Sequence, residues 1–153
     1  MSEEKDVYAA MNALAKSAPR GAGGLRCEPF FTGTRAEPAR RASWTNVSDE
    51  NFTPANMTRA LLEGMARAFH EGYRLIQAAT QSPCARLVGA GNGVRENPVL
   101  AGIISEEFGL PLAVPAHREE AAFGAALTAA LGAGVFPDLA AAGRVIQYQQ
   151  VSS

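Results

Sequence analysis

The chain has 153 residues, of which 47% are hydrophobic and 19% charged, and its formal net charge is −1. This length is typical of one domain that buries a core without disulfides or metals, which argues against disorder. The pI of about 6.1 and the scattered basic residues argue against a nucleic-acid partner. The apolar runs are too short for a membrane span and the first residues too acidic for a signal peptide, so we expect a cytoplasmic protein.

The residues that most often bind metals are few and widely spaced. Cys27 and Cys84 belong to no CxxC motif, and His70 lies far from His117 in the sequence. This spacing favours neither a zinc site nor a disulfide framework. We therefore expect no metal ligands in this chain and two reduced cysteines that only pack.

Two helices are predicted in the first half of the chain. Apolar residues at helical spacing predict an amphipathic helix over residues 3–18, and the proline and glycines that follow end it. Residues 25–52 are interrupted by proline and glycine, which is typical of short strands and loops. Thr53 before a proline predicts the start of a long helix over 54–79, with an apolar stripe that extends to Phe69 and Ile76.

Strands and helices alternate in the second half of the chain. The predicted order is a strand over 85–88, the glycine turn Gly89–Gly93, a helix from Asn97-Pro98 to Gly109, a strand over 112–114, a helix over 118–131 and a helical turn after Pro137. This alternation predicts a βαβα unit with parallel strands, and hence an α/β fold whose sheet is parallel or mixed and flanked by helices.

The turn Gly89–Gly93 is the strongest local candidate for a binding site. Backbone N–H groups at a strand-to-helix turn can contact phosphate or ribose where side chains would obstruct them, but a glycine turn without ligand fits equally well. Val94 stands where a dinucleotide-binding GxGxxG motif needs its last glycine, which argues against that class. Neither lysine follows a glycine as a P-loop requires, so a Walker-type ATPase is excluded.

Each other candidate residue has a structural interpretation beside a functional one. Asn97 suits a helix cap as well as a polar contact to a nucleotide. Gly124 lowers helix propensity by roughly 1 kcal/mol relative to alanine, which close packing against a helix or an adenine ring would explain. Glu119 and Glu120 are expected to stabilise their helix N-terminus, and Glu63 and Glu71 are expected to be solvated.

Four segments, in this order along the chain, resemble the C-terminal domain of the FGGY family of carbohydrate kinases, which has an actin-like (ribonuclease H-like) ATPase fold. Phe30–Pro38 resembles the Gly-Glu-Arg loop of the family, with Thr34 in place of its glutamate, and Thr58–Gly64 resembles its Arg-Ala-x-x-Glu-Gly helix. Gly89–Gly93 resembles the adenosine motif, and Glu120–Ala126 resembles the final Glu-Ala-x-x-Gly-Ala-Ala helix. The spacing of Gly89, Gly91 and Asn97 is most similar to that of sedoheptulokinase-like members.

The resemblance implies phosphorylation of a sugar hydroxyl by ATP with Mg²⁺ in a cleft between two domains. Gly89, Gly91, Asn92 and Gly93 would lie against adenosine, with Asn97 near the adenine or ribose and Gly124 on the helix that flanks the base. The catalytic aspartate and most of the sugar pocket of the family lie in the N-terminal domain. The resemblance therefore implies no catalytic residue in this chain, and an N-terminal kinase domain as its missing partner.

The expected division is an N-terminal helix and turn over 1–24, the FGGY nucleotide-binding domain over 25–136 and a tail over 137–153. Two functions are compatible with it: the ATP-binding portion of a kinase for a sugar such as sedoheptulose or another ketose, or a non-catalytic, vestigial nucleotide-binding fragment. Without its partner domain the chain is expected to expose an apolar patch that involves its first helix, and to self-associate.

Overall fold

A computed structural model describes the backbone of residues 2–150 and the side chains from Val7 onward. The helices are α1 Ser2–Ser17, α2 Pro54–Thr80, α3 Asn92–Arg95, α4 Pro98–Phe108, α5 Glu120–Gly132 and α6 Leu139–Gly143, with a 3-10 turn at Ala22–Gly24. The strands are β1 Arg26–Glu28, β2 Ser43–Thr45, β3 Leu87–Val88, β4 Leu112–Pro115 and β5 Tyr148–Gln150. Within residues 2–150, no helix combines the length and apolar character that crossing a membrane requires.

The chain divides into two compact units. The first comprises the residues up to Cys84 together with Glu106–Phe108, and the second comprises Ala85–Ser105 and the residues from Gly109 onward. The predicted domain boundaries at residues 24 and 136 are placed by the range of the family resemblance, whereas these two units are defined by compactness. The predicted boundaries stay a prediction.

In the first unit, α1 and the hairpin β1–β2 pack on α2. The hairpin is antiparallel, and Cys27 on β1 pairs with Trp44 on β2. Leu25, Cys27 and Ala60 are buried at the centre of this core, and Trp44 packs against them. The two helices predicted for this half of the chain and its short strands are therefore confirmed.

The buried part of α2 is shorter than the predicted stripe. Thr53 accepts a hydrogen bond from the N–H of Asn56 and caps the helix as expected, and the buried residues of α2 all lie between Ala60 and Ala66. Phe69 and Ile76 are more than half exposed, so the predicted stripe extends beyond the part of α2 that is covered. Helical spacing identifies the side of a helix that can pack, but the neighbouring elements decide how much of that side is covered.

Glu63 is buried, contrary to the expectation that it is solvated. Its carboxylate accepts hydrogen bonds from Arg59 Nε at 2.7 Å and from the N–H of Gly21 at 2.9 Å. Next to it, a Cβ on Gly64 would clash with the carbonyl oxygen of Cys27. The Arg-Ala-x-x-Glu-Gly segment thus attaches α2 to β1 and to the chain after α1. Glu71, in contrast, is exposed as expected.

The second unit is built on a three-stranded mixed sheet in the order β3-β4-β5. β3 and β4 are parallel, with Leu87 opposite Leu112, which confirms the predicted βαβ unit. All four residues of β4 are buried, and α4 contributes most of the remaining core with Val99, Leu100, Ala101, Ile103 and Ile104.

The sequence did not predict β5, which pairs antiparallel to β4 with Tyr148 opposite Pro115. Tyr148-Gln149-Gln150 has no apolar alternation, because this edge strand is held by backbone hydrogen bonds rather than by burial of alternate side chains.

A second difference from the prediction is α3, a single turn of helix between the glycine turn and α4. The tail contains the predicted helical turn as α6, which is capped by Asp138.

Candidate functional site: a glycine turn at the end of β3

The candidate site lies in the second unit, where the chain leaves β3. The N–H of Gly89 donates to the carbonyl of Ala113 at 2.9 Å, and this bond continues the pairing of β3 with β4 into the turn. Gly91 has a φ of 89°, a conformation that L side chains rarely adopt. α3 then begins at Asn92, and α4 follows at Pro98. The turn is therefore at the carboxyl end of a parallel strand, where α/β proteins commonly bind ligands.

The glycines of the candidate site differ in what surrounds them. A Cβ on Gly89 would lie 2.9 Å from Val94 and 3.3 Å from Leu112, so Gly89 allows close packing under the turn. A Cβ on Gly91 or Gly93 would meet nothing within 4 Å. Packing therefore explains Gly89, whereas Gly91 and Gly93 leave open space beside the backbone.

Gly124 on α5 also borders open space. A Cβ there would meet no atom within 4 Å, so the expectation that a neighbouring helix packs closely on Gly124 is wrong. No residue of α5 is buried, although the helix is composed mainly of alanine, glycine and leucine. The backbone at Gly124 is thus accessible to a flat ligand.

The two asparagines of the predicted site have different surroundings. Asn97 Oδ1 accepts a hydrogen bond from the N–H of Leu100 at 2.9 Å, so the cap interpretation of Asn97 is confirmed. Asn92 is exposed in the turn. The cap uses only the oxygen of the Asn97 side-chain amide. The NH₂ group of the same amide is a separate hydrogen-bond donor.

The sequence did not predict that Arg95 and Glu120 form a charged pair beneath the turn. The Arg95 guanidinium donates a short hydrogen bond to Glu120 Oε1, and the N–H of Gly91 lies 3.4 Å from the same oxygen. Glu120 was expected only to stabilise the start of α5, yet its carboxylate bonds to the glycine turn. No local pattern reveals this pair, because 25 positions separate its members in the sequence.

The surroundings of the pair keep the Glu120 carboxylate ionised and cover most of both side chains. The side chains are 12% exposed for Arg95 and 22% for Glu120. The hydrogen bond from Arg95 is the main reason that the pKa of Glu120 is below its usual 4.5, so the carboxylate is ionised at neutral pH. Arg95 also donates to the carbonyl of His117 at 3.0 Å, and the His117 ring stacks on Phe123 with 3.8 Å between centroids.

The described part of the site can bind a ligand through exposed backbone and amide groups. The predicted residues of the turn, Gly89 to Gly93, are contiguous, and Glu120 connects the turn to α5. Gly124 lies four residues after Glu120 and therefore on the same side of that helix. Across residues 7–150, no three His, Cys, Asp or Glu side chains are grouped so that they could hold a metal ion.

Comparison with known proteins assigns this fold to a class of protein, the carbohydrate kinases. Residues 1–133 match the C-terminal domain of the FGGY family of carbohydrate kinases, and the chain belongs to this family. Its α/β architecture, helices around a small mixed sheet, is part of the actin-like fold of that domain, as predicted. Kinases of this family use MgATP.

Several sugar kinases are similar to the chain. Xylulose kinase of Haemophilus influenzae is 37% identical over 84 residues, which cover 53% of this chain and 17% of that protein. Sedoheptulokinase of Mus musculus is 31% identical over 125 residues, which cover 82% of this chain and 25% of that protein. The crystal structure of xylulose kinase from Rhodospirillum rubrum matches with a TM-score of 0.80 and 29% identity over 95% of this chain.

These relatives are much longer than the matched region. The match covers 25% of the mouse sedoheptulokinase and 29% of the Rhodospirillum rubrum xylulose kinase. Similarity to both enzymes places the chain in the family without singling out the sedoheptulokinase-like members.

Proposed function

We propose that this chain is the ATP-binding portion of a carbohydrate kinase, and that the turn Gly89–Gly93 with Gly124 forms the adenosine side of its nucleotide site. The observation that carries the proposal is the open space beside Gly91, Gly93 and Gly124. The positive φ of Gly91 already favours glycine, but Gly93 and Gly124 lower helix propensity without packing against a described neighbour. A flat ligand that approaches the backbone closely is a physical reason for a glycine at such positions.

Each predicted residue has a role in this proposal. Gly91 and Gly93 allow the adenosine to approach the turn, and Gly124 allows it to approach α5. Asn97 would use the amide nitrogen that capping leaves available for a hydrogen bond to the ribose or adenine. Asn92 is exposed beside the same ligand. Gly89 supports the turn from below, since it packs against Val94 and Leu112.

ATP would supply the phosphoryl group, and Mg²⁺ would be held mainly by its phosphate oxygens. The residues of this chain would bind and orient the nucleoside. We propose that the general base and most of the sugar contacts belong to the part of the relatives' length that this chain does not match, on the same or another polypeptide. The nucleotide-binding domain would span 25–136, between the segments 1–24 and 137–153, in a cytoplasmic enzyme.

The test of the nucleotide site is calorimetric titration of the 153-residue chain with MgATP, compared with a Gly124→Leu variant. A Cβ at this exposed position meets no atom within 4 Å, and leucine improves helix propensity, so the fold is expected to stay intact. We expect binding by the wild-type chain and at least a tenfold weaker affinity for the variant, about 1.4 kcal/mol.

The matched control is Ala129→Leu, which adds a leucine at another exposed position of α5 and is expected to keep the wild-type affinity. Equal affinity of the wild type and Gly124→Leu would show that nucleotide does not lie against Gly124. No binding by the wild-type chain would contradict the assignment of a nucleotide site to it.

We propose a ketose as the sugar, with sedoheptulose as one candidate, since xylulose kinase and sedoheptulokinase are both similar to the chain. The alternative is a vestigial fragment that binds nucleotide without catalysis, compatible with a match that covers about a quarter of the mouse enzyme. Both predict no turnover by this chain alone, so a coupled assay for ADP release with a panel of ketoses distinguishes the two only when the N-terminal kinase domain is added. Turnover by the 153 residues alone would contradict our placement of the general base.

A further inference from the structure

We propose that Arg95 and Glu120 are positioning residues that hold the turn Gly89–Gly93 in its ligand-binding conformation. The inference rests on the proposed nucleotide site but concerns two residues that make no proposed contact with the nucleotide. The resemblance to the family assigns a role to neither of them, and both contact Gly91.

The side chain of Glu120 contacts the N–H of Gly91, and the backbone of Arg95 contacts its carbonyl. The N–H of Gly91 points to Glu120 Oε1 at 3.4 Å, and the Gly91 carbonyl accepts a hydrogen bond from the N–H of Arg95 at 3.2 Å. The Arg95 guanidinium bonds to the same Glu120 oxygen and closes a ring of three residues. The N–H of Gly91, the one glycine of the turn with positive φ, therefore bonds to the charged pair, whereas its carbonyl accepts the first backbone hydrogen bond of α3.

The openness of the turn makes such a restraint necessary. Gly91 and Gly93 have no neighbour where their side chains would be, so packing does not restrict their backbone. Glycine also has the largest conformational freedom to lose when a ligand orders it. A charged pair that orders the turn beforehand lowers the entropy cost of binding, and it leaves the ligand-facing side of the glycines open.

The surroundings of the pair are consistent with positioning rather than with a surface salt bridge. Both side chains are mostly buried, and a charge-assisted hydrogen bond is strongest under such shielding. Arg95 Nε has no partner among residues 7–150, so Glu120 and the carbonyl of His117 carry most of the polar contacts of this guanidinium. Loss of the Glu120 charge therefore leaves the positive charge of the Arg95 guanidinium without the carboxylate that balances it next to the turn.

The test uses the full chain and the nearly isosteric variant Glu120→Gln, with two measurements. The first is amide hydrogen exchange of residues 89–93 by NMR, with the amide of Leu100, bonded to Asn97 in α4, as an internal reference. The second is the affinity for MgATP by calorimetry. We expect exchange in the turn to accelerate about tenfold or more relative to Leu100, and the affinity to fall by a similar factor.

Two further variants separate positioning from general destabilisation. Glu119→Gln removes the neighbouring carboxylate, which is exposed and makes no capping hydrogen bond, and it is expected to change neither measurement. Arg95→Lys keeps the charge but lacks the planar fork, so we expect exchange in the turn between the wild-type and Glu120→Gln rates. If Glu120→Gln fails to fold, Arg95→Lys and Glu119→Gln provide the same comparison.

The outcomes distinguish this inference from the proposed function. No ATP binding by the wild type, together with faster exchange in the turn of Glu120→Gln, would contradict the nucleotide site and support the restraint on the turn. Unchanged exchange at residues 89–93 in Glu120→Gln and Arg95→Lys would overturn the inference. Uniform acceleration that includes Leu100 would also overturn it, because the pair would then stabilise only the fold.

Discussion

At the scale of single residues, the buried charge of Glu63 is the clearest target in the first unit. Its carboxylate is 7% exposed and bonds to Arg59 and to the N–H of Gly21. Loss of the negative charge leaves the Arg59 guanidinium, 13% exposed, without its main counterion. Removing one member of a buried ion pair is costly, because the remaining charge is neither solvated nor paired.

We therefore expect Glu63→Gln to lower the free energy of unfolding by about 2 to 4 kcal/mol. Urea denaturation followed by far-UV circular dichroism measures this change. The control is Glu71→Gln on the same helix, an exposed position where the change should stay within about 0.5 kcal/mol. Equal stability of the two variants would mean that the ion pair of Glu63 contributes little.

Cys27 provides a second prediction at this scale. Burial raises the pKa of its thiol, an effect that the nearby positive charge of Arg67 only partly offsets. Because the thiolate is the nucleophile, we expect Cys27 in a Cys84→Ser variant to react with DTNB at pH 8 at least about tenfold more slowly than an unhindered cysteine. Reaction in guanidinium, where burial is lost, is the control. A native rate equal to that of the denatured chain would contradict the burial.

At the scale of elements, α2 contains two glycines in opposite environments. A Cβ on Gly64 would clash with the carbonyl of Cys27 on β1, whereas a Cβ on Gly72 would meet nothing within 4 Å. The first glycine allows the helix and strand to approach closely. The second only lowers helix propensity, and no described neighbour requires it.

The same substitution at the two positions should consequently have opposite effects. We expect Gly64→Ala to destabilise the protein by about 1 to 3 kcal/mol through overpacking against backbone. Gly72→Ala should stabilise it by about 0.5 to 1 kcal/mol through helix propensity. The urea midpoints of the two variants measure both effects. If both midpoints shifted in the same direction, the close packing of α2 on β1 would be refuted.

At the scale of the whole molecule, the expected exposed apolar surface is confirmed on α1. Val7, Met11 and Ala15 are spaced by four residues and form one face of the helix. Ala15 is fully buried against the first unit, but Val7 is 58% exposed and Tyr8 beside it 62%. The apolar face of α1 thus continues beyond the elements that cover it, and self-association through it stays a prediction.

We expect the isolated chain to self-associate through the exposed turns of α1, with a second copy covering the apolar face. Light scattering coupled to size exclusion should show a mass that increases with concentration. Tyr8→Lys should shift the chain towards monomer, whereas Ala13→Lys, an exposed position on the other side of α1, should not. A concentration-independent monomer, or equal behaviour of both variants, would contradict this use of α1.

The sequence alone determined the features of this protein that depend on consecutive residues. The cap at Thr53, the cap at Asn97, the end of α4 at Gly109 and the parallel order of β3 and β4 follow from local patterns, and all are present. The ordered motifs also indicated the FGGY family, since a family resemblance is a property of the linear chain.

Only the tertiary structure decided which side chains are covered and which charges meet. Glu63 bonds to the N–H of Gly21 across 42 positions, and Glu120 reaches Arg95 across 25. No helical or strand period links such residues, because the path of the chain between them determines their distance. For the same reason the glycines look alike in the sequence, whereas in the fold Gly64 and Gly89 allow close packing and Gly91, Gly93 and Gly124 border open space.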